Sequence, residues 1–196
     1  DGQTAMASTL RPWLDELGRS EHARRIAITI AEGASIHRLA PKLLDIAKDG
    51  REHHRLRERA LRAAMALWPM DHCPPVDGLL DLAAKEDPHL EIHAVGLRAL
   101  LVRDCMSVTQ VFAHLKPNRD SSFLGAYFTL VSFDLLKKLQ DEDIVAALRW
   151  AKDNVEPLRD HSTYKALLPI IRRAAERLDS GETLLALADV LGHKKY

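Results

Sequence analysis

At 196 residues, 46% of them apolar and only 5% aromatic, the chain is long enough to bury a core without disulfides or metals. Lys plus Arg and Asp plus Glu balance at 28 each, a zero net charge that excludes global attraction to nucleic acid or to an anionic membrane. Leu and Ala dominate the apolar set and β-branched runs are short, which excludes a sheet-rich fold.

Apolar periodicity broken by Pro, Gly and Asp sets out a run of helices. Segments 4–17 and 20–33 form an opening pair split by Gly18-Arg19-Ser20, with Ser20 as the N-cap. Next come helices over 37–48 and 53–68. In the second, Leu56, Ala60, Ala63, Ala64 and Leu67 share one face, while Arg55, Arg59 and Arg62 take the other with Glu58 among them. Trp68-Pro69 ends it, because proline disfavours helical geometry in the residue before it. Pro74-Pro75 opens a further pair, 75–85 and 88–103, with Asp87-Pro88 as the turn between. Helices over 107–115 and 121–139 follow, joined by Lys116-Pro117-Asn118-Arg119-Asp120. The last pair spans 141–153 and 160–178, and a terminal helix over 182–192 closes at Gly192.

This run repeats itself. Leu43-Leu44-Asp45-Ile46-Ala47 recurs as Leu79-Leu80-Asp81-Leu82-Ala83, and Ala60-Leu61-Arg62-Ala63 as Gly96-Leu97-Arg98-Ala99, both 36 residues on. A common offset duplicates a whole helix–turn–helix unit, the mark of a stacked architecture in which each unit buries its face on its neighbours. The expectation is an all-α, right-handed α-solenoid of about four to five helix pairs without a sheet. It forms one domain over 1–196: an opening pair (1–36), the repeats (37–178) and a terminal helix (179–196). The start at Asp1-Gly2-Gln3, without an initiator Met, predicts a piece of a longer protein.

The helix pairs resemble degenerate HEAT repeats over most of 37–178. A more specific resemblance is to the helical-repeat region of large bacterial NACHT-type P-loop ATPases. It is carried by Ala60-Leu61-Arg62-Ala63-Ala64 leading to Leu67-Trp68-Pro69, and by Val111-Phe112-Ala113-His114-Leu115-Lys116-Pro117 followed by Phe123-Leu124-Gly125-Ala126-Tyr127. Asp141-Glu142-Asp143 leading to Ala146-Ala147-Leu148-Arg149-Trp150 fits the same region. The resemblance implies a sensor or autoinhibitory segment of a signalling ATPase, many of which act in phage defence. No G-x-x-x-x-G-K-[ST] stretch is present, so no ATPase residue carries over.

Chemistry is sparse. His89 and His93 have the i, i+4 spacing of a metal pair, with His72, Cys73 and Cys105 as the nearest further donors. A closed site needs four ligands, and partly exposed helix histidines beside two small buried thiols are the simpler reading. His53-His54 forms a solvated helix start, since adjacent helical residues point apart and cannot share one partner. Ser107, Ser121, Ser122 and the two cysteines lie in no nucleophile motif. Asp141, Glu142 and Asp143 head a helix, where acids complement the dipole. Trp68, Trp150, Tyr127 and Phe133 occupy apolar positions and fill the core.

The sequence therefore points to a non-enzymatic scaffold with no cofactor and no metal. Its expected partner is a protein, either the parent ATPase domain or a trigger. Arg55, Arg59, Arg62 and Arg98 are the candidate partner-binding residues, because Arg62 and Arg98 are equivalent across the repeat and guanidinium groups grip carboxylates. The alternative is nucleic-acid binding by the Arg51–Arg62 stripe, without aromatic stacking platforms among its arginines. Two cysteines are too few for a disulfide framework and suit a reducing compartment. No apolar run approaches the roughly 20 residues that span a bilayer, and no signal segment opens the chain. The expected location is cytoplasmic.

Overall fold

In a computed structural model the chain is described over residues 2–15, 20–117, 125–154, 161–177 and 180–192. The described residues are helical, with no strand among them. They divide into two compact units, 1–99 and 100–196.

The first unit opens with α1 (Gly2–Asp15) and α2 (Glu21–Gly33). Ser20 caps α2 as expected, its Oγ accepting the Ala23 N–H at 3.3 Å. Gly18 and Arg19 lie outside the described residues. A short 3-10 turn (His37–Leu39) leads into α3 (Ala40–Lys48), and α4 (His54–Leu67) returns against both α3 and α2. Leu56, Ala60, Ala63, Ala64 and Leu67 are all buried, so the apolar stripe read from α4 is its packing face. Each leucine buried this way stabilises the unit by about 1.5–3 kcal/mol. The helix stops at Trp68, whose backbone is extended before Pro69.

The second copy of the repeat departs from the first. In place of a helix over 75–85 there is one turn, α5 (Asp77–Leu80), before α6 (Glu91–Val102) begins. Side chains meet the backbone groups where a longer helix would continue. The Leu80 carbonyl, which a longer helix would offer to residue 84, instead accepts a hydrogen bond from His93 Nδ1 at 2.9 Å. The Ala83 N–H donates to Glu86 Oε2 at 3.3 Å rather than to Leu79. Asp87-Pro88 does act as the turn, and Leu90 at φ 55° brings the chain into α6. The Asp87 carboxylate caps that helix by accepting the Glu91 and His93 N–H groups at 2.9 and 2.8 Å.

The second unit holds α7 (Val108–His114), α8 (Ala126–Thr129) and α9 (Leu135–Lys138), the last two joined by a π-helical stretch, Leu130–Asp134. A 3-10 turn (Asp141–Asp143) leads into α10 (Ile144–Asn154), which packs on α7, α11 (His161–Ala175) and α12 (Gly181–Gly192). The Trp150 indole N–H donates to the Leu115 carbonyl at 2.8 Å, and its ring meets Phe112 at 5.9 Å. Trp150 and Tyr127 are core residues as expected. Phe133 is not: it is 60% exposed, on the π-helical stretch, where the extra residue per turn shifts helical phase. Trp68 is half-buried.

Gly96 stands where the first repeat has Ala60, and both are buried. A Cβ there would lie 3.0 Å from Leu80 Cδ2, so α6 and α5 meet at a position that tolerates little bulk. Gly96→Leu should therefore lose about 1–3 kcal/mol in denaturant unfolding. The same leucine at exposed Ala66 of α4 should change stability by no more than about 0.5 kcal/mol.

Candidate functional site

Helix α4 gathers the arginines singled out in the sequence, and most are engaged within the unit. Arg59 forms an ion pair with Glu32 at the end of α2, and its Nη2 lies 3.4 Å from Thr29 Oγ1. Arg62 bridges two carboxylates, Glu58 one turn earlier at 2.8 Å and Glu91 at the start of α6 at 2.6 Å. Glu91 is only 3% exposed, so this contact leaves water almost completely on one side. Arg55 is exposed and makes no ion pair among the described residues. Arg98 is exposed on α6.

Two further arginines complete the array. Arg57 is 2% exposed; its Nε–H donates to the Ala47 carbonyl near the end of α3 at 2.9 Å, and Nη1 lies 3.8 Å from Glu86 Oε1. Composition-based reading skips this residue, although the spacing 57–61–64 puts it inside the apolar stripe. Arg24 of α2 is likewise buried, donating to Glu52 Oε1 at 2.6 Å and to the Leu14 carbonyl at 3.4 Å. At the stripe's exposed end, Arg51 holds Asp49 through Nε and Nη2 at 2.9 and 2.7 Å. These bonds, and the Arg51 backbone N–H, hold the Asp49 carboxyl at about 2. The folded value lies below the unfolded one, so this pairing supports the fold above the usual carboxylate range and loses that contribution as pH falls toward 2.

The histidines divide by environment. His53 caps α4, its Nδ1 accepting the Arg55 N–H at 3.4 Å, and its ring lies 4.2 Å from that of His54. Burial, and then the neighbouring charges of His53 and Arg55, push His54 below its ordinary value. His93 is 1% exposed, correcting the expectation of a partly exposed pair with His89, which is half-buried. Because a carbonyl only accepts, the contact to Leu80 places the proton on His93 Nδ1. No group of three or more His, Cys, Asp or Glu side chains is arranged to hold a metal ion among the described residues.

The cysteines also depart from expectation. Cys73 and Cys105 are disulfide-bonded rather than free, and neither is buried: Cys73 is exposed in the irregular stretch after Pro69. Neither offers a thiolate for catalysis or metal binding. Ser107 is spent on a capping box, accepting the Gln110 N–H at 3.2 Å while Gln110 Oε1 accepts its own N–H at 2.8 Å. Ser121 and Ser122 lie outside the described residues. Of the three acids before α10, Asp143 is buried and accepts from the Thr109 N–H and hydroxyl at 3.2 and 2.8 Å. Asp141 turns instead to Arg173 and Arg177 of the second unit. Those two lie 32 and 36 residues away along the chain.

What this arrangement can do chemically is hold helices in register. Arg59, Arg57 and Arg62 each link α4 to a different neighbour, and any phosphate or carboxylate reaching Arg59 or Arg62 must compete with a carboxylate already in place. No protein-family model matches the chain, nor does any curated protein or solved structure. The likeness to HEAT repeats and NACHT-type ATPases rests on the sequence segments alone. A double-mutant cycle separates the two ion pairs. Coupling between Arg62 and Glu91, measured by denaturant unfolding of the alanine variants, should be about 1–3 kcal/mol. The more exposed Arg59–Glu32 pair should give about 1 kcal/mol or less, and equal couplings would contradict the burial argument.

Proposed function

We propose that this chain is a non-enzymatic protein-interaction and regulatory scaffold. Its helix pairs stack as a right-handed, HEAT-like α-solenoid, serving as the sensor or autoinhibitory repeat region of a bacterial NACHT-like signalling ATPase. The observation that carries the scaffold reading is where large apolar side chains remain exposed. Met6 and Trp13 on α1, Ile26 and Ile30 on α2, Leu168 on α11, and Leu184, Leu185 and Leu191 on α12 are 41–71% exposed. Exposed apolar surface on the first and last described helix pairs suits cover by a further protein surface, although Met70, Val102 and Phe133 are exposed in the residues between them as well. The ATPase context is supported by the sequence resemblance, and phage defence follows from it only as that family's setting.

The α4 arginines enter this reading chiefly as ties within the fold. Arg55 and Arg98 are the exposed members of the proposed partner-binding set, and Arg55, which makes no ion pair among the described residues, is able to meet a carboxylate on a protein partner. Nucleic-acid binding by the Arg51–Arg62 stripe is the weaker alternative, since Arg51, Arg59 and Arg62 are already neutralised by Asp49, Glu32, Glu58 and Glu91. No described helix is long and apolar enough to cross a membrane. Disulfides persist mainly in oxidising compartments, so the bonded state of Cys73 and Cys105 counts against the cytoplasmic placement that a low cysteine count suggests.

The test is to purify the protein encoded by the whole reading frame, with and without residues 1–196. A G-x-x-x-x-G-K-[ST] stretch elsewhere in the polypeptide is expected, and basal ATP hydrolysis should rise several-fold on deletion. A polypeptide without such a stretch, or hydrolysis unchanged by the deletion, would overturn the regulatory role.

A further inference from the structure

The second unit contains an open surface cleft of about 810 Å3. Its apolar wall is Leu168, Pro169 and Ile171 of α11. Its charged side is Arg172, Arg173 and Arg177, of which Arg173 and Arg177 meet Asp141 at the head of the 3-10 turn before α10. Arg173 Nε lies 3.4 Å from Asp141 Oδ1, and Arg177 pairs with the other carboxylate oxygen. Arg172 is exposed and makes no ion pair among the described residues, although Glu176 follows one turn later in the same cleft.

We propose that this cleft binds an acidic, apolar peptide segment of a protein partner, one that presents a carboxylate beside a leucine-like side chain. The inference deepens the scaffold reading and rests on it, but not on the ATPase context. Three guanidinium groups share the cleft with two carboxylates, so the local balance favours an anionic guest. Asp141 occupies the place such a guest's carboxylate would take, bridged by two arginines in the free protein. A partner carboxylate can engage Arg172 directly and exchange with Asp141 at Arg173 and Arg177, a near-even trade in electrostatic terms. Net affinity then comes from covering Leu168, which is 48% exposed, and the adjoining proline and isoleucine.

The probes are a fluorescein-labelled peptide of Glu and Leu, the same peptide with Gln for Glu, and labelled oligothymidylate, each followed by fluorescence anisotropy with the full chain. The Glu-Leu peptide should bind and the Gln-Leu peptide should bind about two- to fivefold more weakly, the worth of one exposed contact to Arg172. Arg172→Glu should weaken Glu-Leu binding by about tenfold or more, whereas Asp141→Asn should strengthen it by freeing Arg173 and Arg177. Thermal melts by circular dichroism check that both variants fold, and Arg172→Gln replaces Arg172→Glu if the reversal does not. No binding, binding indifferent to Arg172 and Asp141, or tighter binding of oligothymidylate would each overturn the proposal. If cleft binding fails while deletion of residues 1–196 still releases ATP hydrolysis, the scaffold reading survives and this surface does not.

Discussion

The Arg57 guanidinium is held almost wholly out of water between α4 and the end of α3, and the first unit is built around that constraint. A charge in such a place must keep its donors satisfied or the helices around it separate. Leu and Ala surfaces pack well in several rotations, because dispersion and burial carry little direction. The hydrogen bond from Arg57 to the Ala47 carbonyl supplies direction, and the ties from Arg59 to Glu32 and Arg62 to Glu91 fix α4 against two further elements. The arginine-rich face is thus a set of internal clamps around a helix whose opposite face is apolar. In the second unit, Asp143 and Trp150 join α7 to the α10 region by the same logic, with a carboxylate on Thr109 and an indole on the Leu115 carbonyl.

Helix positions were legible because their signals are local. Ser20 and Trp68-Pro69 each act through neighbours a few residues away, and each marks a boundary where the sequence puts it, whereas α6 starts at Glu91 and not directly after Asp87-Pro88. The 36-residue echo was legible as well, yet it overstated the likeness of the two units. Just where α5 ends, a side chain from α6 meets the Leu80 carbonyl, a contact across 13 positions that no window of local periodicity reports. The exposure of Phe133 has a comparable origin in the π-helical stretch, which breaks the 3.6-residue phase on which its burial was inferred.

The site was less legible than the fold. Charge patterning identified Arg55, Arg59 and Arg62 as one face, but not that Glu32 and Glu91, 27 and 29 residues away, come to meet two of them. Arg57 was hidden by the assumption that arginine belongs on a solvated face, although its long stem and its place in the apolar stripe allow burial. The Arg172, Arg173 and Arg177 cluster had no sequence signal beyond ordinary helix C-terminal charge, which complements the dipole at the end of α11. Its significance depends on Asp141 arriving from a distant part of the chain.

The central claim is that α4 is fastened from within by its arginines, and the Arg57 side chain reports on it most directly. In a heteronuclear NMR spectrum of the protein carrying isotope-labelled arginine, the Arg57 Nε–H should give a resolved signal that exchanges with water as slowly as the buried α4 amides. An Arg57 Nε–H that exchanges as fast as that of exposed Arg55 would contradict the account.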